Sequence, residues 1–163
     1  MNIQRIAKIL ENKKDLIINE VVLDTAQKKD QIIYGARAYN FQSPTHLKKK
    51  TTDYDILTKK PKKYAKEVAE KLSRRLGKDV KVVKGFHKGT YRVKVDNEVI
   101  ADYTQLKKIP QTKNIYGVKA KSLKSIKRNA QRLTKHSKTE YRREKDIDVL
   151  QRIQEIERLE SIF

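Results

Sequence analysis

The spacing of apolar residues changes between helical and strand periods along the chain, and this predicts an α+β fold. Between residues 3 and 24, apolar side chains recur every three or four positions, which indicates one or two amphipathic helices that cover a sheet. Residues 61–76 repeat this spacing in a single helix that starts at a proline and stops at Gly77. We therefore expect a mixed central β-sheet flanked by helices. Runs rich in β-branched residues predict its strands, at 31–34, 52–58, 79–86, 90–95 and 99–103.

The last third of the chain predicts a basic helical extension. A sparse apolar stripe favours a helix around 122–135, and a second helix is expected from Glu140 onward. Its apolar residues recur every three positions from Ile147 to Ile162, so the stripe winds around a helix of about 3.6 residues per turn. The two ends of this stripe cannot face one flat partner. Either the last turns meet a second subunit in a homodimer, or they fray.

Positive charge dominates the composition and indicates that the protein binds a negatively charged partner. Lys and Arg outnumber Asp and Glu by 40 to 20, which gives a formal charge of +20. Such a charge repels itself unless a polyanion neutralises it, so RNA or another nucleic acid is the expected partner; a lysine-rich surface without a partner is the alternative. The chain has no signal-peptide core and no apolar run long enough to cross a bilayer. We expect an intracellular, cytoplasmic protein with no membrane partner.

Two carboxylates lie two residues apart in the predicted strand at 52–58. Successive strand side chains point to opposite faces, so Asp53 and Asp55 project from the same face. Neighbouring like charges are costly unless a cation or solvent relieves them, so the pair is either a metal site or a solvated edge strand. A third acid, Asp102, lies in the otherwise apolar run 99–103 and could complete the site. With no cysteine and three scattered histidines, a bound metal must be a hard ion held by oxygen.

A glycine follows the first predicted strand and begins a helix, and backbone N–H groups at such a helix start favour phosphate. The chain resembles the DNA polymerase beta-like nucleotidyltransferase superfamily in three motifs: Gly35-Ala36, Asp53-Tyr54-Asp55 and Asp102. The superfamily pattern has Gly or Ser where this chain has Ala36. Two later segments, 116–123 and 143–146, also look like those that follow the core in small members. Within the superfamily, the chain is most similar to viral poly(A) polymerase catalytic domains.

The resemblance implies a nucleotidyltransferase fold in three segments. These are an N-terminal helical segment at 1–28, a catalytic core at 29–110, and basic C-terminal helices at 111–163 that pack on the core. It also implies two Mg²⁺ or Mn²⁺ ions, both held by Asp53 and Asp55, with Asp102 on the ion that lowers the pKa of the acceptor hydroxyl. Arg37 and Lys145 are also compatible with a plain surface role. The nucleotide-binding residues that the resemblance implies are Gly35, Ala36, Arg37 and Lys145.

The implied activity is transfer of NMP from an NTP, with ATP favoured, to an RNA 3′ end, as in a poly(A) polymerase. Two alternatives stay open: transfer of a single nucleotide to a tRNA or protein target, and a non-catalytic accessory subunit that binds nucleic acid. Phosphate contacts carry affinity but little sequence information, so we expect salt-sensitive, weakly selective binding. The residues expected to make these contacts are Lys48, Lys49, Lys50, Lys124, Lys127, Arg128 and Arg132.

Overall fold

The computed structural model describes residues 2–136 and 139–162, which form helices on both sides of one mixed sheet. The helices are α1 (Ile3–Lys28), α2 (Gly35–Phe41), α3 (Pro61–Leu76), α4 (Leu123–His136) and α5 (Glu140–Ile162). The strands are β1 (Ile32–Tyr34), β2 (Tyr54–Thr58), β3 (Val80–Lys84), β4 (Thr90–Val95), β5 (Glu98–Gln105), β6 (Thr112–Ile115) and β7 (Val118–Lys121). The predicted α+β class, with a mixed central sheet and a C-terminal helical extension, is confirmed.

Local signals account for where the long helices begin and end. The Asn2 side chain caps α1 by accepting a hydrogen bond from the Gln4 N–H at 3.0 Å. Pro61 stands in the first turn of α3, where its missing N–H has no intrahelical partner to lose. Gly77 ends α3 in the left-handed region, at φ 64°, and its N–H donates to the Ser73 carbonyl.

The sheet has the order β3-β4-β5-β2-β1-β7-β6. β2 runs parallel to β5 and β1 runs parallel to β7, while the other neighbouring strands pair antiparallel. Asp96 and Asn97, both at positive φ, form the two-residue turn between β4 and β5. A bulge between Val93 and Lys94 then shifts the pairing of these two strands by one residue.

Helices α1 and α3 cover one face of this sheet and leave the acidic positions on the other. In β2, the side chains of Tyr54 and Ile56 are buried under the two helices, against core residues that include Leu72 of α3. Because strand side chains alternate, Asp55 points to the opposite face. The hydrophobic pattern of β2 therefore decides which way its carboxylate points.

The C-terminal helices attach to the sheet through α2. Ile153 and Ile156 of α5 pack on the buried ring of Tyr39 in α2, whose hydroxyl donates to the Leu47 carbonyl at 2.7 Å. Arg152 of α5 donates to the same carbonyl at 3.0 Å, so one loop is held from two sides. The predicted homodimer through α5 stays a prediction.

One part of the expected C-terminal segment is corrected by the structure. Residues 112–121 form the β6–β7 hairpin instead of belonging to helices, and β7 extends the sheet by pairing with β1. The turn residues Tyr116 and Gly117 both have positive φ, as a two-residue hairpin turn requires. The sequence analysis included this stretch in the basic C-terminal helices. The division at 1–28, 29–110 and 111–163 stays a prediction.

Among the described residues, each helix is too short or too polar to cross a lipid bilayer.

Candidate active site

The parallel pairing of β2 with β5 brings the three predicted carboxylates together. Asp55 and Asp102 are direct partners in the register of these two strands, so their side chains leave the same face of the sheet. Asp53 lies two residues before Asp55 and reaches the same side. Ligand oxygens from the three side chains all lie within 4.8 Å of one another. This spacing lets one cation contact all three carboxylates.

Partial burial makes this cluster costly without a cation. Burial, followed by the charges of Asp53 and Asp102, raises the pKa of Asp55 to about 6. Burial also raises the pKa of Asp102, against the opposing effect of the Arg92 guanidinium. Carboxylate oxygens are the ligands that Mg²⁺ and Mn²⁺ prefer. The donor set and its electrostatics therefore fit a hard divalent ion, and the three acids could hold one.

Arg92 is the cation nearest to Asp102, and the sequence analysis missed it. The Arg92 Nε lies 3.0 Å from Oδ1 of Asp102, within ion-pair distance but off the hydrogen-bond direction, and Nη2 donates to Oδ2 at 3.4 Å. The two residues are cross-strand partners only because of the bulge between β4 and β5, where Ile100 of β5 has no partner in the register. A regular two-residue hairpin would set Arg92 opposite Ala101 instead. In the sequence, the signal that could have indicated Arg92 is a basic residue close to the position that pairs with Asp102 on the neighbouring strand.

The backbone of Gly35, directly after β1, lies very close to the carboxylate of Asp55. Its φ of 67° lies in the left-handed region, and a Cβ at this position would overlap with Oδ2 of Asp55. Any other residue would push the carboxylate out of the cluster. The glycine is therefore required both by backbone conformation and by space.

The acids form the floor of a cavity of about 770 Å³. Gly35 and Ala36 line it at the start of α2, and Ile126, Ala130 and Val149 from α4 and α5 form an apolar part of its wall. The volume is in the range of small-molecule sites, which run from about 300 to 1,000 Å³. The cavity therefore has room for a nucleotide beside the acids.

Basic side chains line the same cavity on the side away from Arg92. Lys49 is half-buried, and burial, followed by the charge of Lys145, lowers its pKa. The charge of Lys145 also acts on Asp55, which places this lysine near the acids. Burial, with the charge of Arg132, likewise lowers the pKa of Lys121. Cations held this close together, with Asp148 as an acid that acts on Lys49, favour the binding of a polyanion.

Comparison with known proteins identifies the family. A family model described as "Poly(A) polymerase catalytic subunit" matches residues 20–141, which is well over half of the chain. The chain belongs to the poly(A) polymerase catalytic subunit family. The resemblance predicted from the three motifs is confirmed, and this family membership supports nucleotidyltransferase activity.

Two solved structures are similar to this family member. The Megavirus polyadenylate synthase is 19% identical, with a TM-score of 0.74 over 86% of this chain and 31% of that chain. This likeness shows that the two share a nucleotidyltransferase fold, and the chain spans about a third of the Megavirus protein. An antigenic nucleotidyltransferase-like protein from Paracoccidioides brasiliensis is 18% identical, covering 84% of this chain and 75% of that chain, with a TM-score of 0.47. No curated protein matches the chain.

In this poly(A) polymerase family member, Arg37 does not face the cavity described above. Its Nε donates to the Asp53 carbonyl at 3.2 Å, and its guanidinium stacks 4.3 Å from the centroid of the Tyr54 ring. Arg37 thus holds the backbone that carries the first two acids. The structure gives it a supporting position beside the acids, outside the cavity lining.

Of the lysines near the acids that were predicted to bind nucleic acid, two line the cavity and one does not. Lys49 and Lys50 line the cavity, whereas Lys48 is exposed outside it. Asn40, another residue that sequence reasoning missed, holds this loop with two 2.7 Å hydrogen bonds to the backbone of Lys49. A side chain of α2 therefore fixes the backbone of the loop that carries Lys49.

The four predicted basic residues of α4 are not gathered at the acids. Lys124 and Arg128 are exposed on the helix surface, and Lys127 pairs with Glu157 of α5 at 2.9 Å. Arg132 donates to Asn129 at 3.1 Å. These basic residues of α4 therefore lie away from the acids. Arg132 differs from the others because its charge lowers the pKa of Lys121, which lines the cavity.

Proposed function

We propose that the chain is the catalytic part of an enzyme that adds NMP units, with ATP as donor, to an RNA 3′ end. The observation that carries this proposal is the convergence of three carboxylates at the floor of a nucleotide-sized cavity whose wall is basic. Phosphoryl transfer needs positioning and neutralisation of charge more than a nucleophilic side chain. The residues around this cavity provide both.

Asp53, Asp55 and Asp102 would hold two Mg²⁺ or Mn²⁺ ions, because three carboxylates supply more oxygen ligands than one ion needs from protein. When bound, such ions neutralise the triphosphate and lower the pKa of the acceptor hydroxyl. Asp53 and Asp55 would contribute ligands to both ions, and Asp102 would contribute to the ion on the acceptor side. Arg92 keeps Asp102 oriented by its ion pair.

The triphosphate is proposed to lie toward α2 and α5. Lys49 and Lys145 concentrate positive charge there, and the charge of Lys145 acts on Asp55. Gly35 and Ala36 line the same part of the cavity, and the missing side chain at Gly35 leaves the backbone open to phosphate oxygens. The acceptor then approaches from the side of Asp102 and β4.

The exposed basic residues suit the backbone of a longer RNA. Lys48, Lys124 and Arg128 are exposed, so they are available to phosphates outside the cavity. Each neutralised phosphate releases counterions, which makes the affinity fall as salt rises. We expect oligonucleotide binding to weaken steeply between low and physiological salt, with little dependence on sequence.

The test is to incubate the purified protein with a labelled oligo-RNA, Mg²⁺ or Mn²⁺, and each NTP in turn. The inactive variant is Asp53→Ala/Asp55→Ala, and the matched control is Asp79→Ala, an exposed aspartate outside the cavity wall. We expect stepwise extension by the wild type and by the control, strongest with ATP. Loss of extension in the double variant supports the proposal.

Other outcomes separate the alternatives. A single added nucleotide on a tRNA, or label on protein, would instead indicate single-nucleotide transfer. Salt-sensitive RNA binding with no transfer by any of the proteins would indicate an accessory subunit. Extension that survives in the double variant would refute the assignment of these acids.

A further inference from the structure

The turn between β3 and β4 presents an aromatic side chain at the mouth of the active-site cavity. Phe86 is 93% exposed, yet it lines the cavity together with its neighbour His87. Their rings meet edge to face, with centroids 5.4 Å apart and an interplanar angle of 85°. In the sequence, Phe86 is the last residue of the predicted strand at 79–86. The described contacts leave one face of the Phe86 ring open to solvent.

The backbone holds this turn in a defined position. The Gly85 N–H donates to the Thr90 carbonyl at 2.7 Å, and the Gly89 carbonyl accepts from the Gln105 N–H at 3.0 Å. Gly89 lies at φ 84°, and a Cβ at Gly85 would be 2.8 Å from the Thr90 side chain. The turn is thus anchored at both ends, so the exposure of Phe86 comes from ordered backbone geometry.

The turn stands on the Asp102 side of the cavity. β4 continues directly from the turn and carries Arg92, which pairs with Asp102 on β5. The basic residues near Asp55 lie toward the opposite edge, on α5 and the loop after α2. In the proposed reaction the triphosphate takes the basic edge, so the acceptor end must reach Asp102 past this turn.

The chemistry of the turn suits a single-stranded nucleic acid. Two exposed lysines, Lys84 and Lys88, flank the aromatic pair and can contact phosphates. Bases of a single strand stack on Phe and His rings, and this recognition tolerates any base because every base has a π-face. Within residues 2–136 and 139–162, Phe86 is almost fully exposed and its ring contact is with His87, so core packing does not account for an aromatic residue here.

We propose that Phe86 and His87 form a stacking platform for the 3′-terminal base of the single-stranded acceptor. This inference rests on the proposed function, since it names how the acceptor of that reaction is held. Stacking would align the terminal hydroxyl with the acids without reading its sequence. The acceptor class is then a single strand with an intact terminal base.

The test measures binding without catalysis, by fluorescence anisotropy of a labelled oligo-RNA with Mg²⁺ and no NTP. The variants are Phe86→Leu, which keeps an apolar side chain but removes the flat ring, and Phe86→Trp, which restores a ring. The control is Tyr116→Leu in the β6–β7 turn, because Tyr116 is 99% exposed but lies outside the cavity wall. We expect Phe86→Leu to weaken binding about 5- to 30-fold. Phe86→Trp and Tyr116→Leu should bind as the wild type does.

A second oligonucleotide, abasic at its 3′ end, identifies the contact. It should bind the wild type about as weakly as Phe86→Leu binds the intact strand, and Phe86→Leu should lose little more. Equal binding of the intact strand by Phe86→Leu and wild type would overturn the proposal, and so would an equal loss for intact and abasic strands.

Transfer assays separate this inference from the proposed function. With active protein, Phe86→Leu should raise the KM for the acceptor and leave the KM for NTP unchanged. If binding follows the expected pattern but wild type transfers no nucleotide, the platform stands and the proposed function fails. If wild type extends RNA and Phe86→Leu does so with an unchanged acceptor KM, the platform fails and the proposed function stands.

Discussion

Replacing Asp55 by Asn should stabilise the metal-free protein at neutral pH, although it removes a proposed metal ligand. Burial, and then the charges of Asp53 and Asp102, raise the pKa of Asp55 from its ordinary value of 3.8 to about 6. Between these values the folded chain keeps a proton that the unfolded chain has lost. The ionised carboxylate therefore destabilises the fold, and this cost is absent below about pH 4 and complete above about pH 6.

The size of the effect follows from the pKa difference. A shift from 3.8 to about 6 corresponds to about 3 kcal/mol in the free energy of unfolding, since each pKa unit is worth about 1.36 kcal/mol. Asn has nearly the same size as Asp but carries no charge, so Asp55→Asn removes this cost. We expect a gain of about 1–3 kcal/mol above about pH 7 and no gain near pH 4.

The assay is urea unfolding in EDTA followed by far-UV circular dichroism, because the chain has no Trp to report by fluorescence. Wild type and Asp55→Asn are compared at several values between about pH 4 and pH 8. Adding Mg²⁺ should then stabilise wild type more than the variant. A variant no more stable than wild type at high pH, or a gain that does not change with pH, would refute the reasoning.

A surface aspartate provides a control of opposite sign. Asp96 accepts from Lys78 at 2.8 Å and lies 3.2 Å from the Lys14 Nζ, and these contacts lower its pKa. Its carboxylate therefore stabilises the fold above the unfolded pKa, and this contribution is lost as the pH falls. Asp96→Asn should lower stability at neutral pH but not in acid. Asn tolerates the positive φ at this position, so the backbone is not an additional variable.

Three further variants test the geometry of the site. Gly35→Ala should lose about 1–3 kcal/mol more stability than Gly77→Ala in urea unfolding, because both positions have φ near 65° but only at Gly35 would a Cβ overlap a carboxylate. Lys145→Ala should raise the KM for NTP about tenfold or more, because Lys145 lines the cavity. Lys124→Ala, on the outer face of α4, should leave this KM unchanged. Equal effects of the two variants would contradict the proposed triphosphate position. Arg37→Met should lower kcat with little change in the KM for NTP, because Arg37 holds the backbone of Asp53 and does not line the cavity. A raised KM with normal kcat would instead mean that Arg37 contacts the nucleotide directly.

Local patterns were sufficient to predict most of the helices and strands and the acids that converge. The helix at 61–76 begins and ends at residues whose backbone preferences act within one turn, so Pro61 and Gly77 mark it without tertiary information. The alternation of a strand likewise predicts that Asp53 and Asp55 share a face, and their carboxylates converge although β2 itself begins at Tyr54. These are short-range properties, and the structure agrees with them.

The partners of the site depend on contacts between residues far apart in the sequence. Arg92 meets Asp102 through a one-residue bulge, and Lys49 approaches Lys145 only after α5 packs on α2. In the same way, β7 joins the sheet because β1 offers it an open edge, not because its own residues demand a strand. The sequence by itself determined most of the helices and strands and indicated which three acids converge, because backbone preferences act over a few residues. Only the tertiary structure decided which cations surround the acids, because sheet register and helix packing are set by the whole core.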